Sequence, residues 1–365
     1  MLDTDNIRKA PLLVHLVFHP ESASARELAK HIHAALNVDS VVQGLRIPTI
    51  FCKENSEYLP PADQQLDLAE QSFVIPLADT DMNLAEEWCN FIAELWEACD
   101  GTKHRCVPVQ LTEDAWPLSP ERLGTVNFVP AFAEPEATRV AFIVRRIIIE
   151  LCRYIHGDDA GGKSPEAPTK LFISHTKMDI NQEPRVVQPM KDRLKIDQPI
   201  DAWFDSGDIP AGSAFTQKIA EGVEDSSLLC VLTDNYASRE WCRKEILLAK
   251  EKQRPVVVIN ALHHTEMRSF PYLGNLPVMR WDNDPQAAID LILKETLRNL
   301  HTYRLLHQWQ QPDDMVFTLP PELATIVGLP ATATVLYPEP PLGKEEVDML
   351  RKTGVTVTTP VGAPD

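Results

Sequence analysis

The run Ser227-Leu228-Leu229-Cys230-Val231-Leu232 has strand length and no polar alternation, and Pro255-Val256-Val257-Val258-Ile259 follows one helix-length later. A strand with one wet face alternates apolar and polar side chains, whereas an uninterrupted apolar run needs cover on both faces. Parallel strands receive that cover from the helices that connect them. Leu171-Phe172-Ile173 and Ala202-Trp203-Phe204 add two shorter strands, and amphipathic patterns lie between all four. Val186, Val187, Met190 and Leu194 recur at helical spacing, with Pro184 and Pro189 set to delay that helix. Phe215, Ile219 and Val223 mark another helix face, and Ile289, Leu293, Leu297 and Leu300 mark a closing helix over Ala287 to Leu300. The expectation is an α/β fold, a doubly wound parallel sheet in which ligands sit outside the carboxyl ends of the strands.

The first half repeats the plan. Leu12 to Phe18 and Ser72 to Leu77 read as strands, Glu27 to Leu36 as a helix, Cys106 to Leu111 as a strand, and Arg139 to Ile155 as a closing helix. Glu87-Trp88-Cys89 follows the Ser72 strand much as Glu240-Trp241-Cys242 follows the Ser227 strand. Between the halves, Gly157 to Thr169 is small, polar and rich in Gly and Pro, the composition of an exposed connection. The division read from the sequence is a first domain over 1–156, a linker over 157–169, a second domain over 170–302, and a proline-rich connection with a short βαβ-like extension over 303–365. Such a length, 365 residues, exceeds one typical domain.

A formal net charge of −18 argues against direct contact with nucleic acid, which relies on basic surface and counterion release. Seven cysteines without framework spacing read as thiols of a reducing compartment. The N-terminus is acidic at its start and lacks the signal-peptide pattern, and the apolar stretch Val140 to Cys152 is interrupted by Arg145 and Arg146. A cytoplasmic protein without membrane contact is expected. His263 and His264 have no cysteine or paired carboxylate at ligand spacing, so no metal is expected. Neither GxGxxG nor a Walker-type loop occurs.

Ser238-Arg239-Glu240-Trp241-Cys242-Arg243-Lys244-Glu245 carries the chemistry. Helical spacing puts Trp241 and Glu245 on one face, and Ser238 is placed to cap the helix. Ile92 occupies the slot of Glu245 in the first half, with Glu94 two positions on. Cys242 reads as a small buried hydrophobe. The phospho-acceptor receivers, which share this topology, want paired acids after the first strand, and Ser174-His175 stands there instead.

In order and spacing, Leu171-Phe172-Ile173-Ser174-His175 with Asp179, Ala202-Trp203-Phe204-Asp205 leading into Asp208-Ile209 and Gly212, and the block ending SREWCRKE make residues 170–300 resemble a bacterial Toll/interleukin-1 receptor (TIR) domain. The resemblance implies a flavodoxin-like fold and cleavage of NAD at the nicotinamide–ribose bond, with NAD as substrate and no further cofactor. It also implies a bacterial immune, anti-phage effector activated by oligomerisation through TIR–TIR contacts, with a protein activator. The first half then reads as a degenerate TIR-like domain with a regulatory or assembly role. Glu245 is the catalytic candidate. Ser174, His175, Trp203, Asp205, Ser206 and Trp241 are the candidates for binding the nucleotide; Ser174 and His175 fit a structural role as well, Trp203 fits the core, and Asp205 fits a turn. A non-enzymatic TIR scaffold is the alternative reading.

Overall fold

A computed structural model describes residues 8–37, 45–52, 59–63, 65–116, 118–159, 169–179, 185–196, 200–204, 221–263, 272–326 and 328–360. The chain divides into two compact units, Met1–Glu166 and Ala167–Asp365.

The first unit is built on β1 (Ala10–Val17), β2 (Thr49–Phe51), β3 (Ala69–Ala78), β4 (His104–Cys106), β5 (Val109–Gln110) and β6 (Val129–Pro130). All pairings are parallel, in the order β2-β1-β3-β5-β6, and β4 also pairs with β3. The sequence suggests one strand from Cys106 to Leu111, but the chain makes two. Pro108 has no amide hydrogen to offer a ladder, and its carbonyl accepts instead from the Val129 amide at 2.9 Å. Helices Ala23–Asn37, Glu86–Ala98 and Glu136–Asp159 pack with the sheet. The last of these carries through the start of the Gly-rich connection, residues 157–159.

The second unit repeats the topology with β7 (Thr169–Ser174), β8 (Ile200–Phe204), β9 (Ser227–Leu232), β10 (Val256–Asn260) and β11 (Val278–Arg280), parallel in the order β8-β7-β9-β10-β11. Numbered within its own unit, the second sheet runs 2-1-3-4-5, the flavodoxin-like order, and the first follows it when β4 and β5, both beside β3, are counted as one broken strand. Every residue of β9 is buried, which is what its unbroken apolar run requires. The helix Val187–Ile196 keeps Pro189 because the ring falls in the first turn, where its missing N–H has no helical acceptor to lose. The closing helix Pro285–His307 is started by the Asp284 carboxylate, which accepts from the amides of Gln286 (2.8 Å) and Ala287 (3.2 Å), with Pro285 pre-set at the first helical position.

Beyond it, β12 (Asp314–Val316), β13 (Thr334–Leu336) and β14 (Thr356–Thr358) form a small parallel sheet with the helix Lys344–Arg351. Phe317, Ile326, Val335, Tyr337, Leu350 and Val355 make its core. It is tied to the end of the helix Glu240–Glu251: Lys250 Nζ meets both Glu322 oxygens at 3.0 and 3.1 Å, and the Gln253 amide donates to the Val316 carbonyl at 2.8 Å while accepting from the Thr318 N–H at 3.0 Å. None of the described helices is long and apolar enough to cross a membrane.

Candidate active site

In an open parallel sheet the first and third strands are central neighbours, and the loops leaving their carboxyl ends meet at one edge. In the second unit β7 ends at Ser174, which pairs with Cys230 of β9. The chain leaves β9 through a tight turn, Tyr236–Ser238, and enters the helix Glu240–Glu251. Arg239, not Ser238, is the N-cap residue, and no side chain caps this helix. The Ser238 hydroxyl donates to the Asn235 carbonyl at 2.8 Å, so it closes the preceding turn and is spent before the helix begins.

Glu245 lies one and a half turns into the helix and is only 1 % exposed. A carboxylate in that setting must find donors, because burying an unpartnered charge costs several kcal/mol. The Ser174 hydroxyl donates to Glu245 Oε2 and lies 2.6 Å from the Tyr236 hydroxyl, which itself reaches the Cys242 carbonyl at 3.4 Å. Burial raises the Tyr236 phenol well above its ordinary range, and the neighbouring Cys230, Cys242 and Glu245 add to the effect. The Cys230 thiol is pushed up to about 12 by burial, with Glu245 adding and the Tyr236 hydroxyl opposing. Both groups are therefore neutral near pH 7, and they surround the carboxylate with hydrogen-bonding dipoles rather than charge.

His175 is buried and its ring Nδ1 donates to the Ile173 carbonyl at 3.1 Å. Cys242 is buried too, its thiol directed to the His175 carbonyl at 3.8 Å, as a small hydrophobe with a weak donor should be. Asp179, from the loop after β7, accepts from Thr233 Oγ1 at 2.5 Å and Asn235 Nδ2 at 3.0 Å, fastening that loop to the end of β9.

Trp241 departs from its expected position beside Glu245. It is 36 % exposed, with Lys244 Nζ 4.6 Å from its ring centroid. Side chains tilt toward the helix N-terminus, and Glu245, one turn after Trp241, tilts onto the strand ends. Of Trp203 only the backbone in β8 is described, and Asp205, Ser206 and His264 lie outside the described residues. Tyr236 belongs to the site and is missing from the candidates drawn from sequence. It is nine residues from Glu245, a separation with no helical or strand meaning. No three His, Cys, Asp or Glu side chains converge as a metal site among the described residues.

The family model described as "TIR domain" matches residues 171–293. This segment is a TIR domain. Among solved structures, the chain matches TIR domains in a structure of the activated Roq1 resistosome directly recognizing the pathogen effector XopQ, at 16 % identity, with 36 % of this chain and 83 % of that one covered and a TM-score of 0.23. No curated protein matches.

Proposed function

We propose that the TIR domain is an NAD glycohydrolase, cleaving the nicotinamide–ribose bond to give nicotinamide and ADP-ribose or its cyclic variant, with Glu245 as the catalytic residue. The observation that carries this reading is a carboxylate held at the carboxyl edge of the sheet among hydroxyl groups, in a segment where an aliphatic residue would serve the fold. Nicotinamide in NAD is already a pyridinium and departs neutral, so no general acid is needed. The barrier lies in the positive charge that develops on the ribose. A fixed carboxylate in a water-poor site opposes that charge, as in glycoside hydrolysis. The ribose hydroxyls can also replace Ser174 as donors to Glu245, exchanging one hydrogen bond for another. Trp241 suits the nicotinamide poorly while Lys244 sits over its ring, since two cations would share one face.

The biological reading is a bacterial defence effector that assembles into oligomers when activated, with the first unit as a degenerate TIR-like regulator of assembly. The supporting observation is the similar parallel topology, with the first strand between the second and third in both units, a carboxylate in the second unit and Ile92 in the first. A second reading, a scaffold that works by self-association alone, draws on the enclosure of Glu245 and on the exposed Met178, Trp241 and Leu247 nearby in the sequence of site elements.

Incubation of the full chain with NAD, following nicotinamide release across a protein concentration series, separates the two. Release is expected to rise with concentration and to fall by at least about 100-fold in Glu245→Ala, the order seen when a preorganised electrostatic contact is removed. Release that persists in the variant removes Glu245 from the mechanism, and none at any concentration favours the scaffold.

A further inference from the structure

We infer that Tyr236 is a positioning residue for Glu245, acting through the hydroxyl of Ser174. The proposal rests on the NAD-cleaving role of Glu245 for its catalytic meaning, but not for its geometry.

Ser174 has one hydroxyl proton, and it goes to Glu245 Oε2. The 2.6 Å contact between Ser174 Oγ and the Tyr236 hydroxyl therefore has tyrosine as donor, and since the phenol has one proton the Cys242 carbonyl at 3.4 Å is only a secondary acceptor. The result is a directed chain, tyrosine to serine to carboxylate, each bond polarising the next. It joins the turn Tyr236–Ser238, the end of β7 and the helix Glu240–Glu251. The Tyr236 ring is fully buried in one core cluster with Phe172, Cys230, Leu232 and Ile246. Its oxygen is thus fixed by packing and fixes the Ser174 rotamer in turn. A free serine hydroxyl swings among three staggered positions, and this one is held on the carboxylate.

The first unit supplies an independent check. Ser174 pairs with Cys230, six residues before Tyr236; Val17 pairs with Pro76, six residues before Met82. By that register the counterparts of Ser174 and Tyr236 are Val17 and Met82, and alignment of the Trp-Cys pairs sets Ile92 opposite Glu245. All three are apolar, and all three lie in one buried cluster. The polar trio is present in one unit and replaced as a set in the other, as expected of groups that work together.

The test is a double-mutant cycle on the full chain. NAD turnover is measured for wild type, Tyr236→Phe, Ser174→Ala and the double variant, with melting temperatures for Tyr236→Phe, Glu245→Gln and their combination. Tyr236→Phe removes only the oxygen. It is expected to lower kcat about 10-fold with KM nearly unchanged, and the double variant is expected to be no slower than Ser174→Ala alone. The groups around Glu245 are Ser174 from β7, Cys230 from β9, Tyr236 from the turn and Cys242 from its own helix. Loss of the chain weakens donation to the ionised carboxylate, so the acid limb of the pH–rate profile should move to higher pH in Tyr236→Phe. Losses that multiply in the double variant, or a Tyr236→Phe enzyme with unchanged kcat, overturn the proposal. Melting-temperature shifts that simply add for Tyr236→Phe and Glu245→Gln also overturn it. Thermal coupling in a wild type that leaves NAD intact refutes the glycohydrolase and keeps the positioning; turnover lost in Glu245→Gln without coupling does the reverse.

Discussion

The helix after the third strand carries a tryptophan and a cysteine at its start in both units, Trp88-Cys89 in one and Trp241-Cys242 in the other. Trp88 is 1 % exposed, edge-on to His19 (5.6 Å) and Phe91 (6.0 Å), and the Val17, Met82 and Ile92 side chains share its cluster. Trp241 is 36 % exposed with a lysine over its ring, and its helix turns a carboxylate inward where the first unit turns Ile92. The cysteines keep one role, each thiol directed to a backbone carbonyl of a neighbouring element: Cys89 to Met82 at 3.4 Å and Cys242 to His175 at 3.8 Å. The difference teaches where the chain departs from pure packing. In the first unit the strand ends and the helix close over an apolar core. In the second the same backbone plan holds a carboxylate out of water, an arrangement that gives no stability and therefore asks for a chemical reason.

The largest effect should come from forcing the first unit to copy the second. Ile92→Glu would bury a carboxylate against Val17 and Met82, with neither the serine nor the tyrosine that serves Glu245. An uncompensated buried charge costs about 3–5 kcal/mol, enough to unfold a marginal domain. Denaturant titration of the variant should show the first unit lost or severely weakened. A stable Ile92→Glu protein would mean that the unit accommodates polar groups there, and the contrast with the second unit would lose its basis.

The tryptophans come next. Trp88→Ala empties a fully packed site and is expected to cost about 3–5 kcal/mol, whereas Trp241→Ala removes a half-wet ring and should cost less than about 1 kcal/mol. Thermal melts of the two variants measure both. Equal losses would show that Trp241 is as architectural as Trp88.

Each unit also holds a buried neutral histidine, His15 in β1 and His301 in the helix Pro285–His307, and burial lowers both to about 4. His104 adds to the effect at His15 and Arg304 at His301. The folded state then binds fewer protons than the unfolded chain between pH 6.5 and 4. Stability is full above 6.5 and falls as the pH drops through that window, by about 1–3 kcal/mol for each histidine. Melting temperatures between pH 7 and 4 should decline, and His15→Gln should flatten the part of the decline that belongs to the first unit.

Much of this was legible in the sequence wherever a run was long and uniform. The unbroken stretches became β9 and β10, and the alternation with helices gave the parallel sheet. Strands of two or three residues, such as Thr49–Phe51, Val129–Pro130 and Val278–Arg280, carry too few side chains to show a period and stayed hidden. Glu245 could be singled out because its counterpart was aliphatic. Trp241 and Glu245 share helical spacing but not burial, at 36 % and 1 % exposed, a difference that spacing alone does not carry. Tyr236 was invisible for a different reason: its meaning lies in a contact to Ser174 across 62 positions of chain. The one available clue was physical, that a carboxylate destined for burial needs hydroxyl donors from the strand ends.

The smallest effect is the most diagnostic. Glu245→Ile writes the first unit's residue into the second and removes a charge without opening a large cavity. Ser174 keeps the Tyr236 hydroxyl as a partner, so little is left unsatisfied, and replacing buried ionic groups by apolar ones of similar volume is often neutral or stabilising. The melting temperature should therefore stay within the equivalent of about 1 kcal/mol of wild type, while NAD cleavage is lost. A site kept for function has this signature: the fold does not miss the carboxylate and the chemistry does. If Glu245→Ile instead cost 3 kcal/mol or more, the Ser174–Glu245 contact would be a structural clasp, and the scaffold reading would gain what the enzyme reading lost.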